Sequence, residues 1–313
     1  MAGLIHPYNG IICIDKPSGF TSFDVIAKLR GMLHMKKLGH SGTLDPLATG
    51  VLPVFAGNAT RAIDLIVDRN NTKAYRAGFR LGYTSDTLDI TGKTEATGRP
   101  LPDARALSGA AEGFVGEISQ IPPMYSAVSV GGKRLYDLAR KGISVDRPAR
   151  TVHIFSLDIV SYDASSGEGV MDVTCSGGTY IRTLIDDIGS KLGCGGIMTA
   201  LRRTCSSAFS LDDCYTLEQV QAACDEGTAG DMFLTIGQAF DYPCVHLDER
   251  CTRLFKNGVH LTMGQNGITA DEFRDDKYLR VCGCDGELLA VGYTVDCGSG
   301  LKALRAKKKF YSN

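Results

Sequence analysis

The stretch Gly39-His-Ser-Gly-Thr-Leu-Asp-Pro-Leu-Ala-Thr-Gly-Val-Leu-Pro53 is the most informative part of this 313-residue chain. Its glycines, threonines and prolines interrupt any regular apolar repeat, which predicts a loop that leads into a strand at residues 51–56. The glycines allow tight turns or a close approach of the backbone to a ligand. Asp45 precedes Pro46, which disfavours helical geometry at the aspartate. Taken alone, such a loop aspartate is more commonly a turn or capping residue than a catalytic group.

The residues before this loop predict a buried strand followed by a capped helix. Residues 10–15 form a short, largely apolar run, and Lys16-Pro-Ser-Gly19 has the composition of a turn. Thr21, with Asp24 three residues later, has the spacing of a capping box, in which each side chain satisfies a free backbone donor of the first helical turn. The apolar stripe of this helix comprises Val25, Ile26, Leu29, Met32 and Leu33.

Two later segments carry further candidate functional side chains. Residues 73–81 alternate, so that Tyr75 lies on the apolar face of a strand, while Arg76 and Arg80 project from the other face. From this pattern alone, Tyr75 is more commonly a core residue than a catalytic one. Ser176-Gly-Gly178 then leads into a helix that begins near Thr179, with apolar positions at Ile181, Leu184, Ile185 and Ile188.

The composition changes near Tyr242-Pro243. Beyond this point the chain has short β-type segments, such as residues 278–282 and 288–291, separated by Gly and Asp. We therefore predict two domains, residues 1–242 and residues 243–313, of which the second is small and rich in β-structure. The run Lys307-Lys-Lys309 has two interpretations, a solvated tail or a contact for phosphates.

The composition predicts a globular protein that does not enter a membrane. Hydrophobic residues make up 43% of the chain and charged residues 22%, and no apolar run approaches the roughly 18 residues that span a bilayer. The N-terminus lacks the pattern of a secretion signal, so we expect a cytoplasmic location and reduced thiols for the eleven cysteines. Cys282-Gly-Cys284 has no second pair at zinc-finger spacing, so no metal site is expected. Nothing indicates an obligate oligomer, and a monomer is expected.

The distribution of charged residues along the chain is more informative about binding partners than the net charge. The net charge of -1 at pH 7 does not by itself indicate a nucleic-acid binder. The first eighty residues nevertheless carry ten Lys or Arg against five Asp or Glu. One face of the protein could therefore attract a polyanion. Ordinary scatter of surface charge explains the same counts equally well.

Six segments, in order along the first 210 residues, resemble the TruB family of tRNA pseudouridine-55 synthases. The central one is the loop that contains Asp45. The others are Gly10-Ile-Ile-Cys-Ile-Asp-Lys-Pro-Ser-Gly-Phe-Thr-Ser22, Lys73-Ala-Tyr-Arg76 with Gly82-Tyr-Thr-Ser-Asp-Thr87, Gln120-Ile-Pro-Pro-Met-Tyr-Ser-Ala-Val128, Cys175-Ser-Gly-Gly-Thr-Tyr-Ile-Arg-Thr-Leu184 and Leu201-Arg-Arg-Thr204.

The resemblance implies a fold and a reaction. The implied fold is the pseudouridine synthase fold, an α/β (α+β) arrangement with a mixed, mainly antiparallel sheet and a central cleft. A PUA-like RNA-binding domain would follow it. The implied substrate is uridine 55 in the T-arm stem-loop of tRNA, which is flipped out of its loop and isomerised to pseudouridine. No cofactor and no metal are expected for this chemistry.

The resemblance also implies roles for single residues. Asp45 falls on the catalytic aspartate of the family, Tyr75 on the tyrosine that stacks against the target base, and Arg182 on the arginine that pairs with the aspartate. His40 falls on the histidine that occupies the space of the flipped base. Two further residues fall on active-site positions, Tyr180 and Leu201.

Arg182 has a physical argument of its own. It lies in the first turn of its predicted helix, where the helix dipole disfavours a cation. A neighbouring anion would offset this cost, and Asp45 is the natural candidate. The alternative is an exposed arginine at a suboptimal helix end. Other cations are candidate contacts for the RNA backbone, although each is also consistent with a solvated surface charge: Lys16, Arg76, Arg80, Lys133, Arg140 and Arg202.

The chemistry leaves several alternatives open. An aspartate can act as a covalent nucleophile and divide a difficult isomerisation into easier steps, but it could attack C6 of uracil or C1′ of ribose. Tyr75 could stack on the base, remove the proton from C5, or do both. Two other functions are alternatives: an RNA-binding factor without catalysis, and a glycosidase in which Asp86 or Asp89 provides the second carboxylate.

Overall fold

The computed structural model describes residues 8–65, 71–126, 129–130, 132–139, 142–143, 145–240, 242–262, 278–298 and 302–311. In chain order, the strands are β1 (Ile11–Lys16), β2 (Leu38–His40), β3 (Thr49–Ala56), β4 (Thr72–Leu81), β5 (Tyr83–Ser85), β6 (Thr94–Ala96), β7 (Gly116–Gln120), β8 (Ser129–Val130), β9 (Lys133–Arg134), β10 (Arg150–Asp163), β11 (Glu168–Ser176), β12 (Gly196–Ser206), β13 (Phe209–Ser210), β14 (Cys214–Tyr215), β15 (Cys244–His246), β16 (Leu261–Thr262), β17 (Leu279–Cys282), β18 (Leu288–Asp296) and β19 (Lys302–Lys309).

Helices cover and connect these strands. The α-helices are α1 (Ser22–Met32), α2 (Ala104–Glu112), α3 (Leu135–Ala139), α4 (Ile181–Lys191), α5 (Leu217–Glu226) and α6 (Glu249–Lys256). The 3-10 helices are Gly57–Ala62, Leu211–Asp213, Ala229–Met232 and Ile236–Ala239. None of the helices in the described ranges is both long enough and apolar enough to cross a bilayer.

The larger sheet is mixed and mainly antiparallel, as predicted. Its order is β14-β1-β3-β12-β4-β11-β10-β7, with β2 paired to β3 and β13 paired to β12. The parallel pairs are β1 with β14 and β3 with β12. Strands β3 and β12 pair only at Thr49 with Arg202 and at Gly50 with Arg203. The long strand β12 therefore separates from β3 close to the point where the loop carrying Asp45 ends.

The predicted local patterns account for how the helices pack. Thr21 and Asp24 form the expected capping box at the start of α1. The apolar side of α1, including Val25, Ile26 and Leu29, packs with β1, β3 and α5 in one buried cluster. Helices α2 and α4 pack against the other half of the sheet, where Ala77, Phe79 and Leu81 of β4 belong to a second cluster.

The smaller sheet is formed by the C-terminal part of the chain, in the order β15-β17-β18-β19-β16. Its own core contains Val245, Val281 and Leu304. It also shares a core with the larger sheet, because Val291 and Phe310 pack in the cluster that contains Ile11 and Phe55. The boundary at residues 242/243 and the PUA-like character of this part stay predictions, and the start of the smaller sheet at β15 is consistent with both.

One other connection joins the two sheets through polar groups. Nη1 of Arg61 donates to the carbonyl oxygens of Lys309 (2.9 Å) and Tyr311 (3.3 Å). Nζ of Lys308 lies 2.9 Å from a carboxylate oxygen of Asp64. The 3-10 helix Gly57–Ala62 and the residues after it are thus attached to the end of β19.

Candidate active site

The loop between β2 and β3 carries Asp45 and is attached to the start of α1. The hydroxyl of Ser22 accepts from the backbone N–H of Leu44 (2.8 Å) and donates to the Leu44 carbonyl (3.2 Å). The N–H of Gly19 donates to the carbonyl of Pro46 (2.9 Å). Both neighbours of Asp45 are therefore hydrogen-bonded to the turn and helix that follow β1, which restricts where the carboxylate can lie.

Arg203 also holds the loop that carries Asp45 in place. Its side chain is completely buried, and it donates to the carbonyls of Val51 (2.7 Å) and Gly42 (2.9 Å) on the two sides of Asp45. Gly50 has a φ of +97°, and a Cβ at this position would lie 2.2 Å from the carbonyl oxygen of Arg203. Glycine is therefore required at position 50 both by the backbone angle and by the close approach of β12.

Lys16 corrects one of the sequence-based predictions. It was expected to contact RNA, but it is fully buried and its ammonium group donates to the carbonyls of Pro17, Phe20 and Pro46. Burial lowers the pKa of Lys16 to about 8, while the negative charge of Asp45 acts in the opposite direction. Lys16 therefore stabilises the Asp45 loop and the charge of Asp45 instead of facing a phosphate.

Arg182 pairs with Asp45 as the sequence predicted. It lies in the first turn of α4, and its Nη2 is 3.0 Å from Oδ2 of Asp45. The guanidinium also donates to the carbonyls of Thr87 and Tyr125, both at 2.9 Å. The Arg182 side chain is 5% exposed and that of Asp45 is 39% exposed. The arginine is thus held inside the protein, while part of the carboxylate remains exposed.

The electrostatic surroundings of Asp45 act in both directions. Its enclosed position raises the pKa of the carboxyl group above the usual value of an aspartate, and Arg182 is the main opposing influence. The negative charge of Asp89 raises this pKa further, and the positive charge of Lys16 lowers it. The carboxylate is therefore less strongly solvated than a surface aspartate and depends on two cations for its ionised form.

Asp89 is a member of this site that the sequence suggested only as the second carboxylate of a glycosidase. Its carboxylate lies 3.6 Å from Nη1 of Arg182 and is almost completely buried. It accepts hydrogen bonds from the hydroxyl of Thr87 and from the N–H and hydroxyl of Thr91. The only signal in the sequence was its position in the acidic loop after β5. Asp86, its neighbour in that loop, is directed instead to the backbone N–H of Lys93 (2.8 Å).

Tyr75 lies on the buried face of β4, as predicted, opposite Arg203 of β12. The ring is 7% exposed. Burial raises the pKa of Tyr75 to about 12; the positive charge of Arg203 lowers it, and the negative charge of Asp45 adds to the increase. The phenol is therefore neutral at physiological pH, and its hydroxyl lies within the field of a buried guanidinium.

The other predicted site residues surround this group. His40 is half-buried at the end of β2, and burial together with the charge of Arg203 lowers the pKa of its imidazole. Tyr180 precedes α4, and the side-chain amide of Gln120 binds both its backbone N–H (3.0 Å) and its carbonyl (3.3 Å). Leu201 is buried on β12 opposite Ala77. Gln120 was not predicted as a functional residue, yet it fixes the start of the helix that carries Arg182.

The candidate phosphate contacts are mostly engaged within the protein. Arg76 makes a two-bond pair with Asp172 (2.8 and 2.7 Å), and Arg202 makes one with Asp15 (3.1 and 2.7 Å). The guanidinium of Arg80 lies 4.3 Å from the centre of the Tyr83 ring. These partly exposed groups would have to exchange or share partners to bind RNA. Arg140 and the side chain of Lys133 lie outside the described residues.

Comparison with known families identifies the family of this chain. A sequence model described as TruB family pseudouridylate synthase (N terminal domain) matches residues 30–181. A second one, described as tRNA pseudouridylate synthase B C-terminal domain, matches residues 182–234. The tRNA pseudouridine synthase B of Lactobacillus delbrueckii subsp. bulgaricus is 45% identical over 265 residues, which cover 82% of this chain and 87% of that protein. This chain belongs to the TruB family.

Other members and solved structures extend the comparison. The tRNA pseudouridine synthase B of Heliobacterium mobile is 41% identical over 299 residues, covering 94% of this chain and 93% of the relative. Among solved structures, a Cbf5-Nop10-Gar1 complex contains a chain that is 26% identical, with a TM-score of 0.71, covering 98% of this chain and 86% of that chain. The pseudouridine synthase fold expected for a TruB protein is therefore confirmed.

Proposed function

We propose that this enzyme isomerises uridine 55 of the tRNA T-arm to pseudouridine, with Asp45 as a covalent nucleophile on a flipped-out base. As a TruB family member it is a tRNA pseudouridine synthase. The position of the uridine and the roles of single residues are the finer part of the proposal. We also expect it to act as a monomer in the cytoplasm.

The observation that carries the proposal is the contact between Asp45 and Arg182. A nucleophilic carboxylate must be ionised, oriented and accessible. The 3.0 Å contact with a buried guanidinium supports the first two conditions, and the 39% exposure of the Asp45 side chain supports the third. Burial that weakens solvation also makes a carboxylate more reactive toward an electrophilic carbon, provided that a cation keeps it ionised.

The reaction requires no external reactant. The bond from C1′ to N1 breaks, the uracil turns, and a bond from C1′ to C5 forms. The proton on C5 is lost and N1 gains one, so atoms and charge balance. Asp45 would hold either C1′ or C6 covalently while the base turns, and either adduct is released when the new bond is complete. Since the target base sits in a folded RNA loop, it has to be flipped out before this chemistry can start.

The surrounding side chains are suited to a flipped uracil. The Tyr75 ring and the Leu201 side chain lie on the same face of the larger sheet. Together they give an apolar platform for one face of the base. Stacking of bases on aromatic rings is common in the recognition of unpaired RNA. His40 has a lowered pKa and is therefore uncharged at neutral pH. A neutral imidazole can occupy the gap in an RNA stack without a charge in contact with the bases.

The alternative of a retaining glycosidase receives no support from the position of the second carboxylate. Such an enzyme needs an acid that can protonate the leaving oxygen. Asp89 is 4% exposed and already accepts hydrogen bonds from Thr87 and Thr91, so it does not face a substrate. The alternative of an RNA-binding factor without catalysis leaves the buried Arg182 and its contact with Asp45 unexplained.

The test is the Asp45→Asn variant on a T-arm stem-loop. We expect no detectable pseudouridine, with RNA affinity within several-fold of the parent, because the amide keeps the shape but not the nucleophile. Asp86→Asn, in an exposed position of the acidic loop, is the matched control and should keep its rate. Full activity of Asp45→Asn would remove the nucleophile assignment. Mapping of pseudouridines in tRNA from cells without this protein tests position 55, and an unchanged map would remove it.

A further inference from the structure

A cavity of about 510 Å³ lies between the smaller sheet and the 3-10 helix Ile236–Ala239, away from Asp45. Its walls include Cys244, His246 and Cys282, together with Arg280, Glu287 and Phe310. None of the eleven cysteines of the chain takes part in a disulfide. The cavity therefore contains two thiols and one imidazole that the isomerisation does not use.

The strand register brings these three side chains together. Cys244 and His246 are two residues apart on β15, so they project from the same face. His246 lies directly opposite Cys282 on the parallel strand β17. The ligand atoms of all three residues lie within 4.8 Å of one another, and the two sulfur atoms are 3.0 Å apart. Val245 and Val281, on the other face of the same strands, pack in the core of the smaller sheet.

We propose that Cys244, His246 and Cys282 form a binding site for Zn²⁺. Two thiolates and an imidazole are the donor set that zinc prefers, with Zn–S bonds of about 2.3 Å and Zn–N bonds of about 2.0–2.1 Å. Tetrahedral geometry with such bonds separates the two sulfur atoms by about 3.8 Å. The observed separation would have to increase by less than about 1 Å, which a rotation of the half-buried Cys244 side chain can provide.

The charges around the cavity are compatible with this ion. Two thiolates balance the charge of Zn²⁺. Arg280 faces the cavity, where Nε donates to the carbonyl of Tyr242 (2.8 Å) and Nη1 to that of Gly237 (3.1 Å). The guanidinium is thus held in place at the wall of the cavity by two backbone carbonyls. Glu287 also lines the cavity, and its carboxylate or a water molecule would supply the fourth ligand of a bound zinc ion.

The ion would connect two neighbouring strands of the smaller sheet. β15 lies at the edge of that sheet, and β17 is its neighbour among the described residues. A zinc ion bound to both strands would stabilise the folded form, because it binds the native state and not the separated strands. The sequence-based expectation of no metal considered Cys282 with Cys284 and not with Cys244, and the proposed site would contradict it.

The experiment uses the full-length protein after reduction and removal of metals by a chelator. Titration with Co²⁺ should reach one equivalent per chain, with thiolate-to-cobalt charge-transfer absorption and the visible bands of tetrahedral cobalt. Zn²⁺ should displace the cobalt and raise the temperature of unfolding. Cys244→Ser and Cys282→Ser should each weaken metal affinity at least about 10-fold, as expected when a ligand is lost. Cys284→Ser and Cys297→Ser, at exposed cysteines, are matched controls and should bind as the parent does.

Other results would overturn the proposal. Absence of the charge-transfer band in the reduced parent protein would do so, as would a band that survives both ligand substitutions. Cys244 and Cys282 could instead form a disulfide under oxidising conditions. Loss of two hydrogens by mass, with no metal bound after reduction, would assign the pair to that chemistry. Pseudouridine formation by each variant verifies that it is folded, so a loss of metal cannot be ascribed to misfolding.

Discussion

The carboxylate of Asp89 lies 3.6 Å from Nη1 of Arg182, on the same guanidinium whose Nη2 lies 3.0 Å from Asp45. One buried positive charge therefore serves two acidic groups. Only Asp45 of the two is partly exposed, and the second carboxylate acts on it from inside the protein. The charge state of Asp45 is consequently influenced by buried residues.

The first prediction concerns the pH dependence of catalysis in Asp89→Asn. Asp45 must be ionised, so the rate falls as the pH drops through its pKa, which burial and Asp89 both raise. Removal of the negative charge at position 89 lowers the pKa of Asp45, and the acid limb of the kcat/KM profile should move to lower pH. Asp86→Asn, in the same loop, should leave the profile in place. A limb that moves to higher pH in Asp89→Asn would contradict the assigned coupling.

The second prediction concerns Arg182→Lys. Lysine keeps the charge but lacks the planar fork that contacts Asp45 and the carbonyls of Thr87 and Tyr125 together. We expect the single-turnover rate to fall by about 100-fold or more, a loss typical of a missing electrostatic contact at a reacting group. Arg76→Lys changes an exposed arginine paired with Asp172 and should have almost no effect. A parental rate in Arg182→Lys would exclude the pair from catalysis.

The third prediction separates the ring of Tyr75 from its hydroxyl. Binding is measured in the Asp45→Asn background, where RNA is not converted. Tyr75→Phe keeps the aromatic face and should bind the stem-loop within several-fold of its parent, whereas Tyr75→Leu should lose about 1–3 kcal/mol of stacking energy. Equal affinities of the two variants would argue against stacking.

The rates of the same two substitutions, measured with Asp45 intact, address the hydroxyl. The phenol lies beside Arg203, which would stabilise negative charge on its oxygen. If the hydroxyl takes part in proton removal from C5, Tyr75→Phe loses rate without losing affinity. A parental rate in Tyr75→Phe would restrict Tyr75 to stacking.

The fourth prediction concerns two glycines near Asp45, Gly19 and Gly50. Gly19→Ala places a methyl group at a φ of +84° with no atom within 4 Å, so it should cost only the backbone strain of about 1–2 kcal/mol. Gly50→Ala adds a clash with the Arg203 carbonyl to a similar strain. We expect a clearly larger loss of unfolding free energy in urea for Gly50→Ala, together with a slower reaction, because the strand must shift beside Asp45. Equal losses would show that the approach of β12 is not tight.

Much of the fold was predictable because its signals are local. The capping box of Thr21 and Asp24 is decided by neighbours within one helical turn. The two faces of β4 follow from alternation. The contact between Arg182 and Asp45 joins residues far apart in the chain, yet it could be inferred, because a cation in the first turn of a helix needs an anion nearby.

The parts that could not be predicted depend on register and burial. From the sequence, Lys16 is expected to be a surface cation. Only the packing of the Asp45 loop shows that carbonyls surround its ammonium group. From the sequence, Asp89 cannot be distinguished from Asp86, the other aspartate of the same loop. Cys244 and Cys282 are brought together by a parallel pairing of β15 with β17, and neither strand alone contains a metal-binding spacing. Family resemblance was therefore needed to select Asp45 from other loop aspartates.

The shared core of the two sheets fixes the position of the smaller sheet relative to Asp45. Val291 and Phe310 pack with Ile11 and Phe55, and Arg61 is bonded to the end of β19. A large apolar contact of this kind holds two units as one body. The distance from Asp45 to the exposed lysines of β19 is then fixed. If paired RNA contacts both Asp45 and these lysines, the length of the RNA helix between the two contacts is fixed as well.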